Sequence, residues 1–248
     1  MIVRQARNVL RLLEFFAERK APATLAEISA AFDWPRSSTH NILTTLVEDG
    51  FLYEPRARAG FYPTPRWLQL AREVTEAEPI PEALTNLIRR VAADTGETAW
   101  ISAPSGLHAV MLDVVESRAP IRYAARPGDR VPIHATASGQ ALLSRMPRRD
   151  VDVLLRKVEY RRYGPGTPVT RAEVLRDLER GAARGWFSSA SNYSADLGGV
   201  AAPAEMAGRI FAVTVAGPLF RVEARMEETA KVLLTALGAI GRQGPSDP

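Results

Sequence analysis

The chain has 248 residues, 46% apolar and 24% charged, with a net charge of +4, a balance typical of soluble globular proteins and a length that accommodates two domains. With no cysteine and only three scattered histidines (His40, His108, His134), disulfides, thiol redox chemistry and a zinc centre are excluded as organising features, and no cofactor is expected. No apolar run reaches the roughly 18 residues of a membrane span and the arginine-bearing N-terminus lacks a signal peptide's apolar segment, so a cytoplasmic protein without a membrane partner is expected.

Residues 4–19 carry Ala6, Val9, Leu10, Leu13 and Phe16 on one stripe, which predicts a first helix. Thr24 with Glu27 three residues on is a capping-box signature, and Leu25, Ile28 and Phe32 continue it as a short second helix. Pro35 suits the first turn of a third helix, where Thr39, Ile42, Leu43 and Leu46 form the apolar stripe until Gly50 stops it. The opposite face of that helix carries Ser37, Asn41, Thr44 and Glu48, with Arg36, Ser38, His40 and Thr45 beside them. Apart from Glu48 these are groups that contact base edges and phosphates when a helix enters the major groove, although an ordinary amphipathic pair with a solvated face has the same pattern. Phe51–Tyr53 and Phe61–Tyr62 then read as a hairpin whose tip holds Arg56 and Arg58, the wing of a winged helix-turn-helix, placed to lie on the sugar-phosphate backbone or in the minor groove. Bulk charge does not support this reading: residues 1–79 hold ten Lys/Arg and ten Asp/Glu, so DNA binding has to rest on the placement of a few arginines.

Pro65 opens a helix with Trp67, Leu70, Ala71 and Val74 on one stripe, and Pro79 and Pro81 break it. Its apolar face suits either a second copy of the chain or its own small domain. The expected organisation is a DNA-binding domain at 1–64, a linker helix at 65–79, a second domain at 80–242 and a disordered tail at 243–248.

From Ile80 the pattern becomes α+β. A helix through Leu84, Leu87, Ile88 and Val91 ends at Gly96, and strands are predicted at 98–103, 109–116, 121–125, 186–193, 198–202 and 209–216. Between them lie a short helix begun by Thr136 and Ser138, another at 151–158, a capping box at Thr170–Glu173 leading a helix to Gly185, and a final helix at about 221–240. The hydroxyl-rich start at Thr136–Ser138 suits either simple capping or the holding of an anionic ligand. For catalysis, Ser138, His134 and Asp113 could be drawn as a triad, but no nucleophile-elbow, phosphate-loop or dinucleotide pattern surrounds them. An enzyme using its N-terminal domain only for dimerisation or docking is the alternative reading, and a DNA-binding architectural dimer without effector is a third.

The runs RLLEFFAERKAPATLAEISAAFDWPRSSTHNILTTLVEDGFL, TGETAWIS, DVVES, RPGDRVPIHATASGQALLSRMP, RGW, GVAAP and VTVAGP together resemble the IclR family of bacterial transcription regulators over nearly all of residues 4–241. The resemblance implies a winged helix-turn-helix, a linker helix, and a GAF-like effector domain with a curved antiparallel sheet flanked by helices. It also implies a homodimer or dimer of dimers on near-palindromic double-stranded operator DNA, answering to a small-molecule effector. By position, the effector contacts would be Ala137 and Ser138 at the helix start, Ser189, Leu197 and Gly199 on the later strands, and Thr214 and Ala216 on the last strand, with Tyr123, Val131 and Trp100 as lining.

Two departures stand out. Where many members carry an acidic run and a cysteine, this chain has Ser189-Ala190-Ser191-Asn192 and Gly199, which implies a less charged and roomier pocket suited to an aromatic acid or related amide rather than a small keto acid. Asn41 stands where a basic residue is common, and an asparagine can read adenine bidentately. The expectation is a regulator, a repressor, of a catabolic operon for aromatic compounds.

Overall fold

The computed structural model describes residues 3–56 and 59–241, so the expectations for Arg58 and for the 243–248 tail lie outside the described residues. Contacts divide the chain into two compact units that meet at Pro79 and Ile80. The architecture is α+β: a winged helix-turn-helix, then a domain built on a curved antiparallel sheet between helices.

In the first unit, α1 (Arg4–Arg19) packs Leu12 and Phe16 over α2 (Leu25–Phe32) and α3 (Arg36–Glu48), burying Ile28, Leu43 and Leu46 between them. The Thr24–Glu27 capping box forms in both directions. The Thr24 amide, Arg19 and the Thr24 hydroxyl, in that order, hold the Glu27 carboxyl down at about 2. The wing is short, β1 (Leu52–Tyr53) against β2 (Tyr62–Pro63), and Phe61, predicted as its first residue, instead bridges Ala23 just before α2. Gly60 makes that bridge possible. It sits at φ +90°, and a Cβ there would lie 2.3 Å from the Ala23 carbonyl carbon, a clash no side chain escapes.

The linker helix α4 (Arg66–Ala77) divides its stripe. Trp67 turns back, its indole donating to the Phe51 carbonyl at 2.9 Å with the rings 4.4 Å apart, whereas Leu68, Leu70 and Val74 stay exposed.

The second unit begins with α5 (Glu82–Thr95). Its sheet has the order β5-β4-β3-β8-β7-β6, all pairs antiparallel: β3 (Thr98–Ser105), β4 (His108–Val115), β5 (Arg130–Pro132), β6 (Phe187–Ala190), β7 (Leu197–Met206) and β8 (Arg209–Pro218). The pleat sorts each strand into two faces. Ala99, Ile101, Val200, Ala202, Phe211, Val213 and Val215 pack with α5 and the C-terminal helix α10 (Met226–Gly241). Trp100, Ala201, Ala212 and Ala216 face the other way, onto α6 (Ala137–Leu143), α7 (Arg148–Leu155) and α8 (Arg171–Arg184).

Five segments differ from the sequence reading. The segment 121–125 is not a strand: the Tyr123 carbonyl takes the Thr98 hydroxyl and the Ile121 carbonyl takes Arg221, so side chains satisfy a backbone flanked by Pro120 and Pro127, and β5 forms at 130–132 instead. The 186–193 strand stops at Ala190 because Ser191 turns into the left-handed region at φ 59°. Strand β7 runs past the expected 202 and through Pro203; its partner β6 ends opposite Ala201, so the missing N–H faces no neighbour. The last helix is broken into α9 (Leu219–Val222), a 3-10 turn at Glu223–Arg225 and α10. The helix predicted at 151–158 begins three residues earlier and ends at Leu155.

Candidate DNA-reading face and effector cavity

On α3 the buried side is Thr39, Leu43 and Leu46, and this fixes the opposite side. Arg36, Ser37, Ser38, His40, Asn41 and Thr44 are all exposed there. Thr39, with its hydroxyl on the Pro35 carbonyl, ties the helix start into the core. Thr45 donates to the Asn41 main-chain carbonyl, Asn41 itself is exposed, and His40 Nδ1 lies 3.5 Å from the Thr44 hydroxyl. Arg56 is exposed at the edge of the wing. The side chains named from the sequence thus share one open helix face, with one wing arginine described.

In the second unit a cavity opens between the sheet and the start of α6. Strand register assembles its floor: Ser189 lies opposite Gly199, Gly199 opposite Ala216, and Trp100 opposite Thr214. Ala137 and Ser138 come in from α6, Val131 from β5, Tyr123 from the segment after β4, and Leu197 from the start of β7. All ten positions expected for the effector therefore line one cavity. Three further lining residues, Thr136, Tyr193 and Gly198, were not among them. Tyr193 lies in the irregular turn between β6 and β7, where no periodicity signals its direction, and Gly198 simply neighbours Gly199 on its strand.

The helix start is held close to the sheet. Thr136 caps α6 by accepting the Gly139 amide, donates to the Pro132 carbonyl at 2.9 Å and lies 3.2 Å from the Ser138 hydroxyl. Gly139 is required for that approach, because a Cβ on it would stand 2.0 Å from the Ile133 carbonyl oxygen. Burial pushes the Tyr123 phenol up to about 12, with Tyr193 and Asp129 adding to it, so it is a neutral hydrogen-bonding group at any physiological pH. Two cavity atoms are fully buried without a hydrogen-bond partner, Trp100 Nε1 and Thr214 Oγ1. The cavity is not roomy: its volume is about 30 Å³, the room of one water molecule. Gly199 and the missing acidic run do not enlarge it, because Tyr193 and the Trp100–Tyr123 pair, with ring centroids 5.5 Å apart, occupy the space.

The drawn triad is not assembled. Ser138 pairs with Thr136, Asp113 accepts the Val114 amide, and His134 is buried with its ring edge-on to Tyr160. Burial, followed by the charge on His108, keeps the His134 imidazole below its ordinary range. Among the described residues no cluster of three or more His, Asp or Glu could hold a metal ion, and no helix is long and apolar enough to cross a membrane.

Residues 72–243 match the family model described as bacterial transcriptional regulator IclR C-terminal, and residues 5–56 match the IclR helix-turn-helix domain. The chain belongs to the IclR family of transcriptional regulators. The protein named "Probable transcriptional regulator SauR" of Cupriavidus necator is 31% identical over 168 residues, 68% of this chain and 66% of that one. The transcriptional repressor IclR of Escherichia coli is 24% identical over 232 residues, covering 92% of this chain and 85% of that protein. Among solved structures, Thermotoga maritima IclR superposes with a TM-score of 0.79 at 22% identity, over 96% of this chain and 97% of that one. An IclR homologue of Microbacterium hydrocarbonoxydans, crystallised with 4-hydroxybenzoate, gives 0.67 at 24% identity over 95% and 99%. This IclR-family chain is thus a regulator with a DNA-binding helix-turn-helix rather than an enzyme.

Proposed function

We propose that this IclR-family regulator is a cytoplasmic, homo-oligomeric repressor of a catabolic operon, releasing or rearranging on its operator when a small organic acid, an aromatic acid or a related amide, enters the cavity. Arg36, Ser37, Ser38, His40, Asn41 and Thr44 read or clamp the operator, with Arg56 and Arg58 of the wing on the backbone. Trp100, Tyr123, Val131, Ala137, Ser138, Ser189, Leu197, Gly199, Thr214 and Ala216 hold the effector. The exposed Leu68, Leu70 and Val74 of the linker helix meet a second copy, giving a dimer or dimer of dimers.

The observation that carries the effector reading is the pair of orphaned polar atoms, Trp100 Nε1 and Thr214 Oγ1, on residues paired across β3 and β8 that both line a cavity walled by aromatic rings. Each buried unpartnered group costs about 1–3 kcal/mol, and a ligand oxygen accepting from both removes that cost. A single benzene ring does not fit in about 30 Å³, so binding selects a state in which Tyr123 or Tyr193 has swung away. An architectural dimer without effector also accounts for a nearly filled cavity, but it leaves those two atoms unexplained.

A thermal-shift screen of aromatic acids, with 4-hydroxybenzoate as the first probe, is expected to raise the melting temperature of the wild type. The Ser138→Trp protein should lose the shift, because an indole at that position takes the space that a displaced tyrosine would otherwise open to the ligand. A hit with unchanged affinity for Ser138→Trp would place the ligand elsewhere, and no hit among aromatic acids would refute the ligand class.

A further inference from the structure

On the reverse side of the strand and helix that wall the effector cavity lies a second, wider groove of about 500 Å³. Along β6, Ser189 faces the cavity while Ser188 and Ala190 face the groove. Along α6, Ala137 and Ser138 face the cavity while Gln140, two residues past Ser138, lines the groove. The two concavities are back to back on shared elements.

The groove is arginine-rich by construction. Arg176, Arg180 and Arg184 recur every four residues on α8, about 6 Å per step, and Arg162 comes from the facing loop. Like charges four apart on a helix repel, so this stripe opposes the helix that carries it unless something negative lies along it. The two carboxylates present are already engaged: Glu173 accepts the Val169 amide at 2.7 Å and the Thr170 amide at 3.0 Å, and Asp177 is paired with Arg180. Four guanidinium groups thus share two carboxylates, of which Asp177 is paired with Arg180, leaving the groove with an excess of positive charge.

The walls are ordered. The Arg184 guanidinium lies 3.7 Å over the Trp186 ring, with Nε on the Trp186 carbonyl and Nη2 on the Ser188 hydroxyl at 2.8 Å. The opposite loop is fixed by the buried Thr167 hydroxyl, which accepts from the Tyr163 and Gly164 amides and donates to the Asn192 carbonyl. At the floor, the Gln140 amide is only 2% exposed, and its nearest acceptors, Asp177 Oδ2 and the His134 carbonyl, are a long 3.4 and 3.5 Å away. An arginine stripe with one guanidinium held in place, above a buried amide whose acceptors are distant, in a concave site of ligand size, suits a compact anion with two or more charges.

We propose that this groove binds a polyanionic small molecule, a polycarboxylate or a phosphorylated metabolite, at a site separate from the effector cavity. The test uses the full-length protein with citrate and pyrophosphate as probes, in isothermal titration and thermal shift against sodium chloride of equal ionic strength. One or both probes should bind and stabilise beyond the chloride control, and the one that does so identifies carboxylate or phosphate chemistry. Arg176→Gln/Arg180→Gln, at exposed positions, should weaken that binding about tenfold or more, and Arg162→Gln, on the other wall, provides an independent variant. Thr214→Val, a near-isosteric change on β8, which lines the effector cavity but not the groove, should leave it unchanged. Equal stabilisation by chloride, unaltered affinity in both arginine variants, or loss of probe binding in Thr214→Val would each overturn the proposal.

Discussion

Arg221→Ala is expected to destabilise the C-terminal domain by about 3 kcal/mol or more, measured by urea denaturation, because it strands the Glu97 carboxylate in the interior. Glu97 is 4% exposed, at the start of β3, and its two oxygens are gripped by Arg221 Nε and, at 2.7 Å, by Nη2. The same guanidinium donates to the Ile121 carbonyl at 3.0 Å, two residues before Tyr123. One side chain therefore ties together the first core strand, the start of the C-terminal helical segment and the segment that closes the effector cavity. The double variant Glu97→Gln/Arg221→Met should recover most of the loss, since a neutral amide costs far less to bury than an unpaired charge. Equal destabilisation by the single and double variants would show that packing, not charge pairing, is what Arg221 supplies.

The second large effect is expected on DNA. Arg36→Ala/Asn41→Ala should weaken operator binding by about 30-fold or more, on the basis of roughly 1–3 kcal/mol for each good base or phosphate contact, with unchanged thermal stability because both side chains are exposed. The two contributions are separable. Loss at Asn41 should fall on cognate sequence and spare non-specific DNA, whereas loss at Arg36, if it meets a phosphate, should weaken both alike and flatten the salt dependence. Full affinity in the double variant would remove α3 from the interface.

The helix-turn-helix was legible in the sequence because its signals are local: a capping box, a proline before a helix, and an apolar stripe that leaves one polar face. Gly60 was readable only as part of a turn, since its need for a bare Cα arises from Ala23, distant in sequence. In the second domain the apolar runs mark β3, β7 and β8 as strands although these are buried on both faces, whereas the short β5 is not legible. The 121–125 segment has strand-like composition, yet its carbonyls go to Thr98 and Arg221, partners that no window of sequence contains. The cavity residues follow from family position, not from periodicity; residue spacing alone left Thr136 and Ser138 divided between a cap and a ligand site. Thr136 does cap α6, and the same helix start also borders the cavity. The loss of charge and of a side chain from the cavity floor does not set its size, which is decided by the aromatic rings that fold over it. The arginines of α8 recur every four residues in the sequence, but the wall opposite them appears only when the loop at 162–169 folds across from it.

Because residues 1–79 carry no net charge, the account depends on a small number of placed groups to hold DNA. The most direct test is fluorescence anisotropy of the wild-type chain on the DNA upstream of its own gene, over a series from about 50 to 200 mM salt. The account predicts saturable binding that falls steeply and linearly in log–log form with salt, and is preferred over unrelated DNA of equal length. Absent binding, or binding indifferent to salt and sequence, would contradict it.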